Sequence, residues 1–91
     1  MKISIIGTGY VGLTSALCFA SKGHQIICHD KDSNKINQLK QKIPTIFEEG
    51  LAELLTETID KKSIEFTNDL EYAIKSSQAI ILAVGTPQDE S

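Results

Sequence analysis

The stretch Lys2-Ile3-Ser4-Ile5-Ile6-Gly7-Thr8-Gly9-Tyr10-Val11-Gly12 decides the fold. It joins a short apolar run to a G-x-G-x-x-G turn, and Leu13, Ala16, Leu17 and Ala20 then recur at the spacing of one helix face. A second apolar run, Ile26-Ile27-Cys28, follows and ends at Asp30, roughly 20 residues beyond the turn. A strand, a glycine turn, a helix, a second strand and an acid in that order predict a dinucleotide site. Gly7 permits the tight turn, Gly9 leaves the backbone open to a pyrophosphate, and Gly12 lets the helix pack closely on the sheet. Unpaired N–H groups around Thr8, Tyr10 and Val11 then face the phosphates at a helix N-terminus. Asp30 is expected to accept hydrogen bonds from the adenosine ribose hydroxyls, each charge-assisted contact worth about 1.5 to 3 kcal/mol.

The same acid argues for NAD over NADP. A 2′-phosphate about 4 Å from the Asp30 carboxylate, at an effective dielectric near 20, meets a repulsion of about 4 kcal/mol per unit charge. Lys31 offsets part of that.

Working outward, Lys22-Gly23 closes the first helix, and Gln25 to Asp30 forms the second strand. Asp32 or Ser33 caps a helix with Ile36, Leu39 and Ile43 on its apolar face, ended by Pro44. Pro44 to Gly50 reads as a connector. Leu51, Leu54, Leu55 and Ile59 predict a further helix, with Glu48 and Glu49 near its N-terminus. Ser63 to Phe66 is a third strand, and Asn68 or Asp69 caps a helix with Leu70, Ala73 and Ile74 inward. Ala79 to Val84 reads as a fully buried fourth strand, followed by a polar loop.

Strands alternating with helices predict an α/β fold: part of a Rossmann-type, doubly wound parallel sheet of about four strands in the order 3-2-1-4. Strand order reverses between strands 1 and 4, so ligand is expected beyond the carboxyl ends there. Gly7 to Gly12, Asp30 and Gly85 to Pro87 converge on that edge.

At 91 residues the chain makes one domain at most, and its mixed charges sum to −3 without a basic run. That pattern argues against a nucleic-acid or anionic-membrane surface, and no run reaches the roughly 20 apolar residues of a membrane span. Cys18 and Cys28 fall inside regular elements, which predicts buried thiols and a reducing, cytoplasmic setting. Neither reads as a nucleophile, because each sits inside a regular element at a position dictated by packing. His24 and His29 have no companion ligands for a metal, and His29 reads as a strand residue.

With these residues assembled, the chain resembles the N-terminal NAD-binding portion of the UDP-glucose/GDP-mannose dehydrogenase family. The resemblance rests on Gly7-Thr8-Gly9-Tyr10-Val11-Gly12-Leu13, on Asp30 with Lys35, on Ile46-Phe47-Glu48-Glu49-Gly50-Leu51, and on Val84-Gly85-Thr86-Pro87. Glu49 stands where the family usually has proline. The resemblance implies NAD-dependent, two-step oxidation of a nucleotide-sugar C6 alcohol to the carboxylate, UDP-glucose to UDP-glucuronate, through a cysteine-bound intermediate. It further implies that Val11 meets the pyrophosphate through its backbone, that Asp30 and Lys35 hold the ribose, and that Gly85 and Thr86 lie along the cofactor. Residues 1–91 would then be a partial NAD-binding domain of an enzyme that is a homodimer at full length. The catalytic cysteine and the substrate region are outside the chain, so these residues alone are expected to be inactive. The alternatives are another dehydrogenase with the same N-terminal domain, disfavoured by Val84 to Pro87, and a non-catalytic NAD-sensing module, disfavoured by the extra helix after Pro44.

Overall fold

The computed structural model describes residues 1–83. Eight elements follow one another: β1 (Lys2–Ile6), α1 (Tyr10–Ser21), β2 (Gln25–His29), α2 (Ser33–Lys40), α3 (Leu51–Asp60), β3 (Ile64–Thr67), α4 (Leu70–Lys75) and β4 (Ala79–Leu82). The strands form one sheet in the order β3-β2-β1-β4, as expected from sequence, and every pairing is parallel. Ile3 sits opposite Ile26 on one side and Ala79 on the other, and Ile26 pairs with Ile64.

Period-two alternation sorts the strand residues onto two faces. Ile3, Ile5, Ile26, Cys28, Ile64 and Phe66 point to the face covered by α1, α2 and α3. There they meet Leu13, Ala16, Leu17 and Ala20 of α1, Ile36 and Leu39 of α2, and Leu51 and Leu55 of α3. The opposite face carries Ile6 and Ile27, packed on Ala73 of α4. Helices on both faces make the sheet doubly wound. A hydroxyl cluster ties α4 to the sheet: Ser4 Oγ donates to the Ala73 carbonyl at 2.7 Å. Ser77 Oγ lies 2.7 Å from Ser4 Oγ and 2.6 Å from that carbonyl.

The helix starts follow their side chains. The Asp32 carboxylate accepts from the Asn34 and Lys35 amides, and the Asp69 carboxylate from the Tyr72 amide, so aspartate is the cap in both places. Gly23, just past α1, has φ 102°, and its amide returns to the Ala20 carbonyl.

Four burial expectations are corrected. Ile43 is exposed, because α2 stops at Lys40 and the left-handed Lys42 (φ 66°) turns the chain before Pro44 is reached. Cys18 is exposed as well, since the α1 stripe of Leu13, Ala16, Leu17 and Ala20 leaves it pointing outward; only Cys28 is buried. Finally, β4 is not fully buried, with Leu82 73 % exposed and Ile80 43 %, and Leu70 and Ile74 of α4 are similarly open. Of α4 only Ala73 is buried, and among the described residues no strand pairs with the outer edge of β4.

Candidate functional site

The site forms where β1 and β2 end side by side. The Gly7 amide donates to the His29 carbonyl at 2.7 Å, extending the β1–β2 ladder by one bond as the chain turns away. Gly7 has φ 110°, a conformation closed to most side chains, so the turn off β1 depends on glycine there. The chain then passes Thr8 and Gly9 into α1, whose first backbone bond is donated by Leu13 to the Gly9 carbonyl. The amides of Tyr10, Val11 and Gly12 precede that bond and are the orphan donors of the helix.

Gly12 faces inward. A Cβ built on it would lie 1.9 Å from the Gly7 carbonyl oxygen and 3.1 Å from the Ala83 Cβ. Gly9 is the opposite case: it is exposed, its φ and ψ (−70° and −168°) are open to any residue, and a Cβ there meets nothing within 4 Å. The space over Gly9 is left open by the protein, the feature a cofactor backbone requires. No side chain caps α1 from this position.

Asp30, one residue beyond β2, is bound to the turn. Its Oδ2 accepts from the Thr8 amide at 3.0 Å and from the Thr8 hydroxyl at 2.6 Å, while Oδ1 accepts from the Asp32 amide at 2.9 Å. Partial burial pulls the carboxyl upward, but the Thr8 hydroxyl, the Asp32 and Thr8 amides and the charge of Lys35 outweigh it. The net result is a carboxyl held below its ordinary value. The ion therefore adds stability above the unfolded value of about 3.9, and that contribution is lost as pH falls through the lower folded value. In denaturant titrations wild type is expected to exceed Asp30→Asn by at most about 1 kcal/mol at pH 6, solvent screening being strong, with the gap narrowing toward pH 2. A gap independent of pH would contradict the assignment.

A cleft of about 560 Å³ opens beside these groups, lined by Gly7, Gly9, Asp30, Lys35, Leu70 and Ala83 among others. A similar volume, about 580 Å³, lies along α3 and its cap from Ala52 to Lys61, but none of the glycine-turn residues lines it. Of the residues expected from sequence, Gly7, Thr8, Gly9, Asp30 and Lys35 line one cleft, and Tyr10, Val11 and Gly12 adjoin it through the α1 N-terminus. Gly85 and Thr86 lie outside the described residues.

Several features were not legible beforehand. Thr8 was expected to offer its amide outward, yet both its donors go to Asp30. The Tyr10 phenol donates to Glu48 at 3.0 Å, which raises its pKa and pins the 44–50 connector near the turn. His29 is buried and borders the cleft, and its Nδ1 has no partner among the described residues. His24 packs edge-on against Phe19 with ring centroids 6.1 Å apart. Burial, with a smaller contribution from Asp30, pushes the Cys28 thiol up to about 12, which makes it unreactive at neutral pH.

A parallel sheet ordered 3-2-1-4, a glycine turn opening a helix and an acid locked at the end of β2 together define a Rossmann-type dinucleotide-binding domain. The chain belongs to the UDP-glucose/GDP-mannose dehydrogenase family, whose NAD-binding domain matches residues 1–91. It is 46 % identical over 90 residues to UDP-glucose 6-dehydrogenase TuaD of Bacillus subtilis (strain 168), covering 99 % of this chain and 20 % of that protein. The UDP-glucose 6-dehydrogenase of Rhizobium meliloti (strain 1021) is 47 % identical over 87 residues, covering 96 % and 20 %. Among solved structures, a ternary complex of GDP-mannose dehydrogenase from Pseudomonas aeruginosa superposes with a TM-score of 0.92 at 38 % identity, covering 96 % of this chain and 20 % of that one. The chain thus spans about a fifth of the length of the curated relatives it matches.

Proposed function

We propose that residues 1–91 are the cofactor-holding part of an NAD-dependent nucleotide-sugar 6-dehydrogenase that oxidises UDP-glucose to UDP-glucuronate. The observation that carries the cofactor assignment is the open space over Gly9 beside the orphan amides of Tyr10, Val11 and Gly12, with the fixed Asp30 carboxylate across the cleft. In this reading the α1 amides and the helix dipole receive the pyrophosphate, while Asp30 and Lys35 hold the adenosine ribose. The family resemblance assigns Gly85 and Thr86 contacts along the cofactor. NAD, when bound, supplies the hydride acceptor. What this chain contributes is binding and orientation: the buried Cys28 thiol is too weakly acidic to serve as a nucleophile, and the exposed Cys18 of α1 does not line the cleft.

Identities of 46 % and 47 % to two proteins named UDP-glucose 6-dehydrogenase support UDP-glucose as substrate. The active enzyme would then be a cytoplasmic homodimer, with the substrate site and the catalytic groups in further domains. Two unpaired cysteines support the reducing setting.

Calorimetric titration tests the cofactor site. Wild type is expected to bind NAD more tightly than NADP, and Asp30→Ala to weaken NAD by about tenfold or more, the equivalent of one charge-assisted hydrogen bond. Equal affinities for NAD and NADP in wild type would overturn the ribose assignment. No effect of Asp30→Ala would do so as well.

A further inference from the structure

The hydroxyl of Thr8 has a purpose beyond the glycine turn. The Thr8 side chain is 1 % exposed, so it touches no solvent, yet its Oγ1 reaches Asp30 Oδ2 at 2.6 Å while its own amide donates to the same oxygen at 3.0 Å. From the other side the Asp32 amide holds Oδ1 at 2.9 Å, and the Asp32 carboxylate caps α2 through Asn34 and Lys35. Three donors thus fix one carboxylate by both oxygens. Two of them come from β1's turn and one from the start of α2, so turning the Asp30 side chain away requires breaking bonds to two segments at once. The charged groups after β2 explain why this matters, because Lys31 and Lys35 also border the cleft. A carboxylate free to rotate would expose two cations suited to a 2′-phosphate.

We propose that Thr8 is a positioning residue for cofactor selectivity: its hydroxyl locks the Asp30 carboxylate where it accepts a ribose 2′-hydroxyl and repels a 2′-phosphate. This rests on the assignment of Asp30 to the adenosine ribose. A merely structural Thr8 would, on removal, weaken NAD and NADP together. A positioning Thr8 changes their ratio.

Thr8→Ser and Thr8→Ala differ by the hydroxyl alone, so the pair isolates it. In calorimetric titrations of the 91-residue chain, Thr8→Ala is expected to raise the NAD Kd about tenfold, the loss expected from one hydrogen bond to a charged group. Its NADP Kd is expected to stay level or fall, and Thr8→Ser to restore the wild-type ratio. The second readout is the pH dependence of the Asp30 side-chain carboxyl carbon, followed by NMR. The titratable groups around that carboxyl are His29 and Cys28 on β2 and Lys31, Asp32 and Lys35 after it; Thr8 and Gly9 of the turn, Thr67 of β3 and Leu70 of α4 carry no charge. Its midpoint is expected below about 3.9 in wild type and Thr8→Ser, and higher in Thr8→Ala.

A wild-type midpoint at the ordinary value overturns the lock even if Thr8→Ala fails to fold. An unchanged NAD to NADP ratio in folded Thr8→Ala also overturns it. Asp30→Ala separates the two ideas: if it abolishes selectivity while Thr8→Ala does not, the role of Thr8 falls and the ribose assignment stands. If Asp30→Ala changes nothing, or wild type fails to bind NAD, the ribose assignment falls and the Thr8 role with it.

Discussion

Gly12→Ala is expected to leave the chain without a cooperative thermal transition. Inside a helix this exchange ordinarily stabilises by about 0.8 to 1 kcal/mol, because alanine loses less backbone freedom than glycine. Here the sign reverses. The new Cβ would sit 1.9 Å from the Gly7 carbonyl oxygen and 3.0 Å from its carbon. Both are backbone atoms of a turn already committed to φ 110° and to the Gly7–His29 bond. No rotamer change relieves the overlap, so α1 must lift from β1. Lifting it uncovers Leu13, Ala16 and Leu17, which fill the larger core against Ile3 and Ile5. A loss above about 4 kcal/mol is then set against a total stability of about 5 to 15 kcal/mol for an ordinary domain. Circular dichroism melting and amide dispersion in a two-dimensional NMR spectrum check this. A cooperative melt within a few degrees of wild type would show that α1 does not need the close approach.

The fold was legible where one residue type answers one local demand. Gly7 turns at positive φ, Asp32 and Asp69 cap helices, and period-two alternation in Ile3 to Ile6 and Ile26 to Cys28 sets which face each side chain takes. Those facts, with right-handed crossovers, suffice for the strand order. What failed depended on partners distant in sequence. An apolar run such as Ala79 to Leu82 states what a strand can bury, not which layer covers it, and α4 proved too short to cover β4. The end of α2 was missed because Lys42, not a glycine, adopts the left-handed turn, and the conspicuous Pro44 lies beyond the true stop.

The candidate site divides along the same line. The glycine turn and Asp30 could be placed on one sheet edge from spacing alone, Lys35 only from the family resemblance, and Gly7, Gly9, Asp30 and Lys35 do line one cleft. The Thr8–Asp30 contact and the Tyr10–Glu48 contact could not. Each joins residues brought together by the β1–β2 pairing or by the connector's path, and a threonine or a tyrosine in a turn gives no local sign of its partner. Threonine at the first variable position of the turn, together with an acid closing β2, is nevertheless a pair that a sequence search could test.

Gly9→Ser is expected to leave the fold intact, even firmer, while removing most of the NAD affinity. Gly9 is the N-cap of α1, a position where serine is strongly preferred because its hydroxyl accepts from the second or third helical amide. The backbone is in the extended region, and a Cβ added there has no neighbour within 4 Å, so nothing in the protein resists the change. Relative to alanine at the same site, serine should gain roughly 0.5 to 2 kcal/mol in helix stability. Yet its hydroxyl would take up the Val11 or Gly12 amide that the pyrophosphate needs, and its Cβ would fill the space through which the phosphates approach. Forcing one extra group into a fitted contact costs about 1 to 3 kcal/mol, and losing an amide donor to a charged oxygen adds about 1.5 to 3 kcal/mol. An NAD Kd at least about a hundredfold weaker follows. Gly9→Ala separates the two causes, since it blocks the approach without occupying an amide and should fall between wild type and Gly9→Ser. The melting temperature and the titration must therefore move independently: an unchanged or raised Tm with lost binding is the signature of a helix start left uncapped for its ligand. Wild-type NAD affinity in Gly9→Ser would mean that the pyrophosphate does not sit over this turn.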